Sequence, residues 1–217
     1  MLNRFKTINE FGEAEITEKK SRFIASVKPV ATEEEAREFI LSIKKKHYNA
    51  AHNVFAYRIG ERNEIEKQSD DGEPSGTAGL PVLDVLRGED IKNAVIVVTR
   101  YFGGTLLGTG GLVRAYGKSA KEGVSAAKVV EKILYKYVYI TTDYNSSGKI
   151  QYEILQKEHT IYNTEYTDKV KFTVLCEVDK TKGFIKHITD ISRGLALIEE
   201  GEDVYGKWIN GELIIDL

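Results

Sequence analysis

This sequence predicts an α+β protein built of two modules, and three observations carry the prediction. A run without a polar side chain, Ala94-Val95-Ile96-Val97-Val98, leads into six glycines within fifteen residues, Gly103 to Gly117, overlapped by helix-spaced Leu112, Ala115, Tyr116 and Ser119. The last third of the chain reads strand, helix, strand, strand, helix, strand. The two patterns close separately near Tyr135, with no repeat or low-complexity linker between them. That divides the chain into residues 1–135 and 136–217.

In the first module, Glu13 to Val27 reads as an extended hairpin. Thr32-Glu33-Glu34-Glu35 is a capping box that opens a helix with Ala36, Phe39, Ile40 and Ile43 on its buried face. Val54 to Ile59 and Glu64 to Gln68 pair around a turn at Gly60. A short helix with Pro81 in its first turn and Val82, Val85 and Leu86 on its apolar face precedes the buried strand. After the glycine loop a long helix runs to about Val130.

In the second module, Tyr137 to Thr142 is a strand, and Ile150, Ile154 and Leu155 mark a helix. Ile161 to Tyr166 and Val170 to Val178 form a hairpin, Phe184, Ile185, Ile188 and Ile191 mark a second helix, and Leu195 to Ile198 begins the last strand. This order is that of a ferredoxin-like sandwich. Tyr152, Tyr162 and Tyr166 are candidates to stack bases, although tyrosines at such rims more often serve packing.

Two loops carry the chemistry. Arg100 and Arg114 bracket the glycine loop, where glycine permits positive φ and a helix start offers free N–H groups to anions. Known nucleotide loops do not fit. Gly103 to Gly108 has the spacing of a Walker loop, but Thr109 stands where lysine belongs; Gly108 and Gly110 open a dinucleotide fingerprint that Val113 then breaks. The glycines therefore either line an anion pocket or only make tight turns. The other loop, Ser69 to Gly79, has strong turn chemistry, with Ser75 and Thr77 as candidate helix N-caps. Its Asp70, Asp71 and Glu73 either brace the two arginines or hold a cation, and bracing is the commoner use.

These loops resemble those of the IMPACT/YigZ family. The resemblance rests on Arg100-Tyr101-Phe102-Gly103-Gly104-x-x-Leu107-Gly108-x-Gly110-Gly111-Leu112-x-Arg114-Ala115-Tyr116 and on Asp70-Asp71-Gly72-Glu73-Pro74-Ser75-Gly76-Thr77-Ala78-Gly79. It extends upstream to Lys20-Ser21-Arg22-Phe23-Ile24-Ala25 and His52-Asn53-Val54-x-Ala56-Tyr57, and so covers about the first 130 residues. It implies an N-terminal α/β sandwich similar to the superfamily shared by a small-subunit ribosomal protein and galactokinase-type kinases. It also implies a ferredoxin-like C-terminal domain similar to one of elongation factor G. Eukaryotic members regulate translation by interfering with activation of a kinase in the amino-acid starvation response, with help from an extra N-terminal domain. Here Phe11 to Phe23 already belongs to the glycine-motif module, so that kinase-regulating activity is not expected to carry over. What the resemblance implies is a direction, towards RNA or the ribosome.

Composition bounds the rest. The net charge of −2 argues against a general nucleic-acid binder with a large basic field. Residues 1–135 hold 21 Lys/Arg against 19 Asp/Glu, and residues 136–217 hold 10 against 14, so charge favours the first module for RNA contact. One cysteine excludes a disulfide framework and fits a reducing cytosol. Met1 to Lys20 has no apolar run and carries four glutamates, so no signal peptide is expected, and no window approaches transmembrane length.

No catalytic constellation emerges. Cys176 alternates with Val170, Phe172, Val174 and Val178 on an apolar face, His47 and His52 lack metal-ligand spacing, and no nucleophile elbow or zinc-protease motif is present. The expectation is a cytoplasmic, non-catalytic binding protein associated with translation, without cofactor or metal. Its partners are the ribosome or RNA, or a phosphate-bearing ligand, and no membrane. Its site is Arg100, Arg114 and the N–H groups of Gly103, Gly104, Gly110 and Gly111, supported by His52, Asp70, Asp71, Glu73, Ser75 and Thr77. The alternatives are an enzyme acting on a small phosphorylated or nucleotide ligand in the same cleft, and a protein-interaction module whose loops are rigid for shape alone.

Overall fold

The computed structural model describes residues 1–216. The chain divides into two compact units, Phe5–Glu131 and, in the other, Met1–Arg4 with the chain from Lys132 onward. Among the described residues the strands are β1 (Arg4–Ile8), β2 (Gly12–Glu18), β3 (Ser21–Pro29), β4 (His52–Ile59), β5 (Ile65–Ser69), β6 (Ala94–Tyr101), β7 (Val129–Thr142), β8 (Thr160–Tyr166), β9 (Val170–Glu177), β10 (Leu197–Ile209) and β11 (Glu212–Ile215). The five helices are α1 (Glu33–Lys46), α2 (Gly79–Gly88), α3 (Thr109–Ala127), α4 (Tyr144–Gln156) and α5 (Thr181–Ile191).

In the N-terminal unit an antiparallel sheet runs in the order β2-β3-β6-β4-β5. Its central strand is apolar from Ala94 to Val98 because both faces are covered there, and these five residues are all fully buried. Side chains alternate across a strand. Ile96 and Val98 therefore meet Val82 and Leu86 of α2 and Leu112 and Tyr116 of α3, while Val95 and Val97 meet Ala36, Phe39, Ile40 and Ile43 of α1. Gly123 lets α3 lie close on the sheet, since a β carbon there would stand 2.7 Å from Ala25 Cβ. Thr32 caps α1 by accepting from Glu35 N–H at 3.2 Å, while the Glu35 carboxylate accepts from Ala31 N–H, one residue ahead of the cap.

The C-terminal unit has the sheet order β11-β10-β7-β9-β8. Without β11, this is the 4-1-3-2 order of a ferredoxin-like βαββαβ fold, with α4 and α5 packed through Ile150, Ile154, Phe184 and Ile188 on Val138, Ile140, Phe172 and Val174. The opposite sheet face carries Tyr137 and Tyr139, stacked at 6.3 Å, with Tyr162 edge-on to Tyr137 at 5.7 Å. Tyr152 and Tyr166 are exposed and make no ring contact among the described residues.

Some expectations need correction. The unit boundary falls at 131/132 rather than after Tyr135, inside a strand that starts at Val129. The first residues join the C-terminal unit through backbone groups: Leu134 N–H donates to Asn3 C=O at 2.8 Å, and the Tyr205 hydroxyl donates to Leu2 C=O at 2.8 Å. The terminal strands β1 and β11 did not stand out from the sequence pattern.

Candidate binding cleft of the N-terminal unit

Arg100 sits on β6 in phase with Ile96 and Val98, so its side chain points under α3 rather than to solvent. It is 5% exposed, and Glu73 is 8% exposed. Arg100 donates to Glu73 Oε1 at 2.6 Å, and the Tyr116 hydroxyl donates to the same oxygen at 2.8 Å. The guanidinium lies between the rings of Phe23 and Phe102, 5.4 and 5.6 Å from their centroids. Burial and then the Glu73 carboxylate push the Tyr116 phenol well above its usual range, so it stays protonated and donating. Taking both charges out of water costs about as much as their attraction returns, so the pair fixes geometry more than it adds stability.

His52 pairs with Arg100 across β4 and β6. Its Nδ1 lies 2.8 Å from the Asp71 carbonyl oxygen, which only accepts, so Nδ1 carries the hydrogen. Its Nε2 faces Glu73 Oε1 at 3.8 Å, beyond hydrogen-bond range.

The acidic loop is wound around its own carboxylates. Asp70 accepts from Gly76, Ala78 and Gly79 N–H at 2.8 to 3.0 Å. Burial raises its pKa, but these three donors outweigh burial and hold the carboxyl below its ordinary value. Asp71, at φ 46° and followed by Gly72 at φ 90°, accepts from Asn53 N–H at 2.6 Å and pairs with Lys44 at 2.7 Å, tying the loop to β4 and α1. Only Glu73 of the three acids braces an arginine. Neither Ser75 nor Thr77 caps α2: its N-cap is Ala78, Asp70 serves the first N–H groups from a distance, and the Thr77 hydroxyl donates to Pro74 C=O at 2.6 Å.

The glycine loop does not form the single anion pocket expected of it. Gly103 N–H donates to Ser21 Oγ at 3.2 Å, and a β carbon there would lie 2.0 Å from the Lys20 carbonyl carbon, so Gly103 serves close backbone packing. Gly104 (φ 81°) and Gly108 (φ 75°) make turns. Gly110 and Gly111 lie in the first turn of α3, and their N–H groups have no acceptor among the described residues. Arg114, exposed on α3, opens on a separate cavity of about 230 Å³ with Glu18, Lys19 and Lys118. Arg100 and Arg114 therefore do not share a site.

What the structure does assemble is a cleft of about 500 Å³ with a polar floor of His52, Glu73 and Arg100 and walls of Pro74, Leu107 and Leu112. Its rim is Phe102 and Leu106, which are 52% and 81% exposed. Sequence reasoning missed the rim and the Tyr116 partner, although Tyr116 follows Leu112 by one helical turn. Among the described residues, no group of three or more His, Cys, Asp or Glu is placed to hold a metal ion. Among the same residues, no helix is long and apolar enough to cross a membrane.

Comparison with known proteins places this geometry. Residues 19–124 match the model of the Impact N-terminal domain, and residues 140–195 match a domain of unknown function, DUF1949. The chain is 46% identical over 205 residues, 94% of each chain, to IMPACT family member YvyE of Bacillus subtilis. It is 35% identical over 187 residues, 84% of this chain and 92% of the other, to IMPACT family member YigZ of Escherichia coli. A crystal structure described only as that of a hypothetical protein superposes with a TM-score of 0.59 at 30% identity, covering 93% of this chain and 99% of that one.

Proposed function

This chain belongs to the IMPACT family, and from that premise and the geometry of the cleft we propose that it is a non-catalytic binding protein that regulates translation by contacting the ribosome or its RNA. The observation that carries the binding assignment is the division of labour in the cleft. The floor's carboxylate is answered internally, Glu73 by Arg100 and Tyr116, with Arg100 Nε left open, while two large apolar side chains stand exposed at the rim. A carboxylate engaged in this way is held in place and has little left to exchange with a substrate; an exposed apolar rim gains by being covered. The free N–H groups of Gly110 and Gly111 at the start of α3 suit a phosphate of the same partner. Family membership supports a regulatory role, and the link to translation follows from the eukaryotic members' activity.

One observation favours a second reading, an enzyme acting on a small phosphorylated or nucleotide ligand. With its tautomer set by the Asp71 carbonyl, His52 presents an unprotonated Nε2 at the cleft when the ring is neutral.

Sucrose-gradient fractionation of a cell lysate separates the two. The binding reading expects the protein to co-migrate with a ribosomal subunit, and to leave that fraction when Phe102→Ser and Leu106→Ser are combined. A purely free pool, together with turnover of a phosphate ester that is lost in His52→Ala, would put the enzyme first.

A further inference from the structure

We infer that the C-terminal unit holds a ligand site of its own, a cavity at the start of α5 that takes the phosphate group of a small phosphomonoester. The cavity, about 420 Å³, is lined by Lys157, His159, Lys180, Gly183, Phe184 and His187. It is independent of the N-terminal cleft and does not rest on the proposal for that cleft.

The helix supplies the first half of the argument. No side chain caps α5 at Lys180. Thr181 N–H reaches Val178 C=O at 3.4 Å and Phe184 N–H reaches Lys180 C=O at 3.0 Å, but the N–H groups of Lys182 and Gly183 between them have no acceptor among the described residues. A β carbon on Gly183 would meet nothing within 4 Å, so the space over this turn is open. Free N–H groups at a helix start, with the positive end of its dipole, favour an anion.

The second half is His159, which is 8% exposed yet lines the cavity. Its Nε2 is turned to Cys176 Sγ at 3.8 Å, and its ring packs edge-on against Phe184 at 4.3 Å. Its Nδ1 has no partner among the described residues. A side chain more than nine-tenths buried that lines a cavity and leaves one ring nitrogen unpaired has that nitrogen free for a ligand.

The charged surroundings agree. Lys157, at the end of α4, has no acidic partner among the described residues. Lys180 pairs with Glu177 at 2.8 Å, and Glu177 also pairs with Arg4. His187 pairs with Glu153 at 2.8 Å. The carbonyls that end α4 do not oppose an anion here, because Lys157, Glu158 and His159 N–H groups already occupy Glu153, Leu155 and Ile154 C=O. Burial first, then Lys180 and Lys157, holds the His159 pKa below its ordinary value against the opposing pull of Glu177. An anion in the cavity reverses that balance and draws a proton onto the ring. The volume exceeds a bare phosphate and lies in the range of small-molecule sites, which is why the ligand is taken to have a body beyond its phosphate.

The test is NMR on the full-length chain, following the His159 ring and the Gly183 amide while inorganic phosphate, sulfate, a mononucleotide or a single-stranded oligonucleotide is added at constant ionic strength. The expected result is saturable shifts with phosphate and sulfate, a rise in the His159 pKa of about one unit, and binding of the mononucleotide about tenfold tighter than that of phosphate. Lys157→Gln should weaken binding about tenfold, and Gly183→Glu, which introduces a carboxylate without a steric clash, should abolish it while the remaining spectrum stays folded. Shifts that grow linearly with salt and survive both substitutions would overturn the site. Saturation by the oligonucleotide alone would overturn the small-ligand assignment.

Discussion

In the N-terminal unit, Glu73 and Arg100 are both more than nine-tenths buried; the Glu73 carboxylate is answered by Arg100 and Tyr116, while Arg100 Nε has no partner among the described residues. In the C-terminal unit, His159 is as deeply buried and lines a cavity, and its Nδ1 has no protein partner among the described residues. The sheets differ in the same sense. The N-terminal sheet is covered by helices on both faces, whereas the C-terminal sheet packs helices on one and leaves tyrosines on the other. The comparison teaches that burial of a polar group is no sign of a ligand by itself. What matters is whether the fold supplies its partners and, where it does not, whether the open atom belongs to a residue lining a cavity.

The largest effect that would break this comparison lies at Glu73. Glu73→Gln leaves the Arg100 cation buried without its counter-charge, and should cost about 3–5 kcal/mol in urea unfolding of the intact protein. Adding Arg100→Met should recover a large part of that loss, because an apolar side chain of similar length needs no partner. A loss below about 1 kcal/mol in the single variant would show that the pair is not braced as described.

A smaller effect sharpens the other side. Glu158, at φ 58°, occupies the left-handed position that ends α4, where His159 N–H returns to Ile154 C=O and Glu158 N–H to Leu155 C=O. Glycine is the residue that adopts this conformation without strain. Glu158→Gly should therefore gain about 0.5–1 kcal/mol in thermal unfolding and leave anion binding at the start of α5 unchanged. A loss of stability would contradict the cap.

Much of the fold was legible because its signals are periodic. The apolar run of β6, the Thr32 cap and the helix faces of α1, α4 and α5 follow from spacing alone. β1 escaped because it is only five residues long and one of its buried positions is the polar Thr7, which breaks an apolar alternation. The site was legible in kind but not in arrangement. That Arg100 would be braced by an acid of the Asp70 to Glu73 loop was foreseen. Which acid it would be depends on the positive φ at Asp71 and Gly72, which turns Asp70 and Asp71 onto backbone N–H groups and Lys44. Arg100 and Arg114 are near in sequence, but Arg100 lies near the end of a strand and points into the core, while Arg114 lies on the exposed side of a helix.

The central claim, that recognition by the N-terminal cleft is carried by its apolar rim over an internally paired Glu73–Arg100 floor, is tested most directly by the affinity of the purified chain for ribosomal subunits, compared between wild type and Leu106→Ser. Leu106 is 81% exposed, so its loss should leave the melting temperature unchanged. The account predicts binding weaker by about tenfold or more. Equal affinity of the two proteins, or no saturable binding by either, would contradict it.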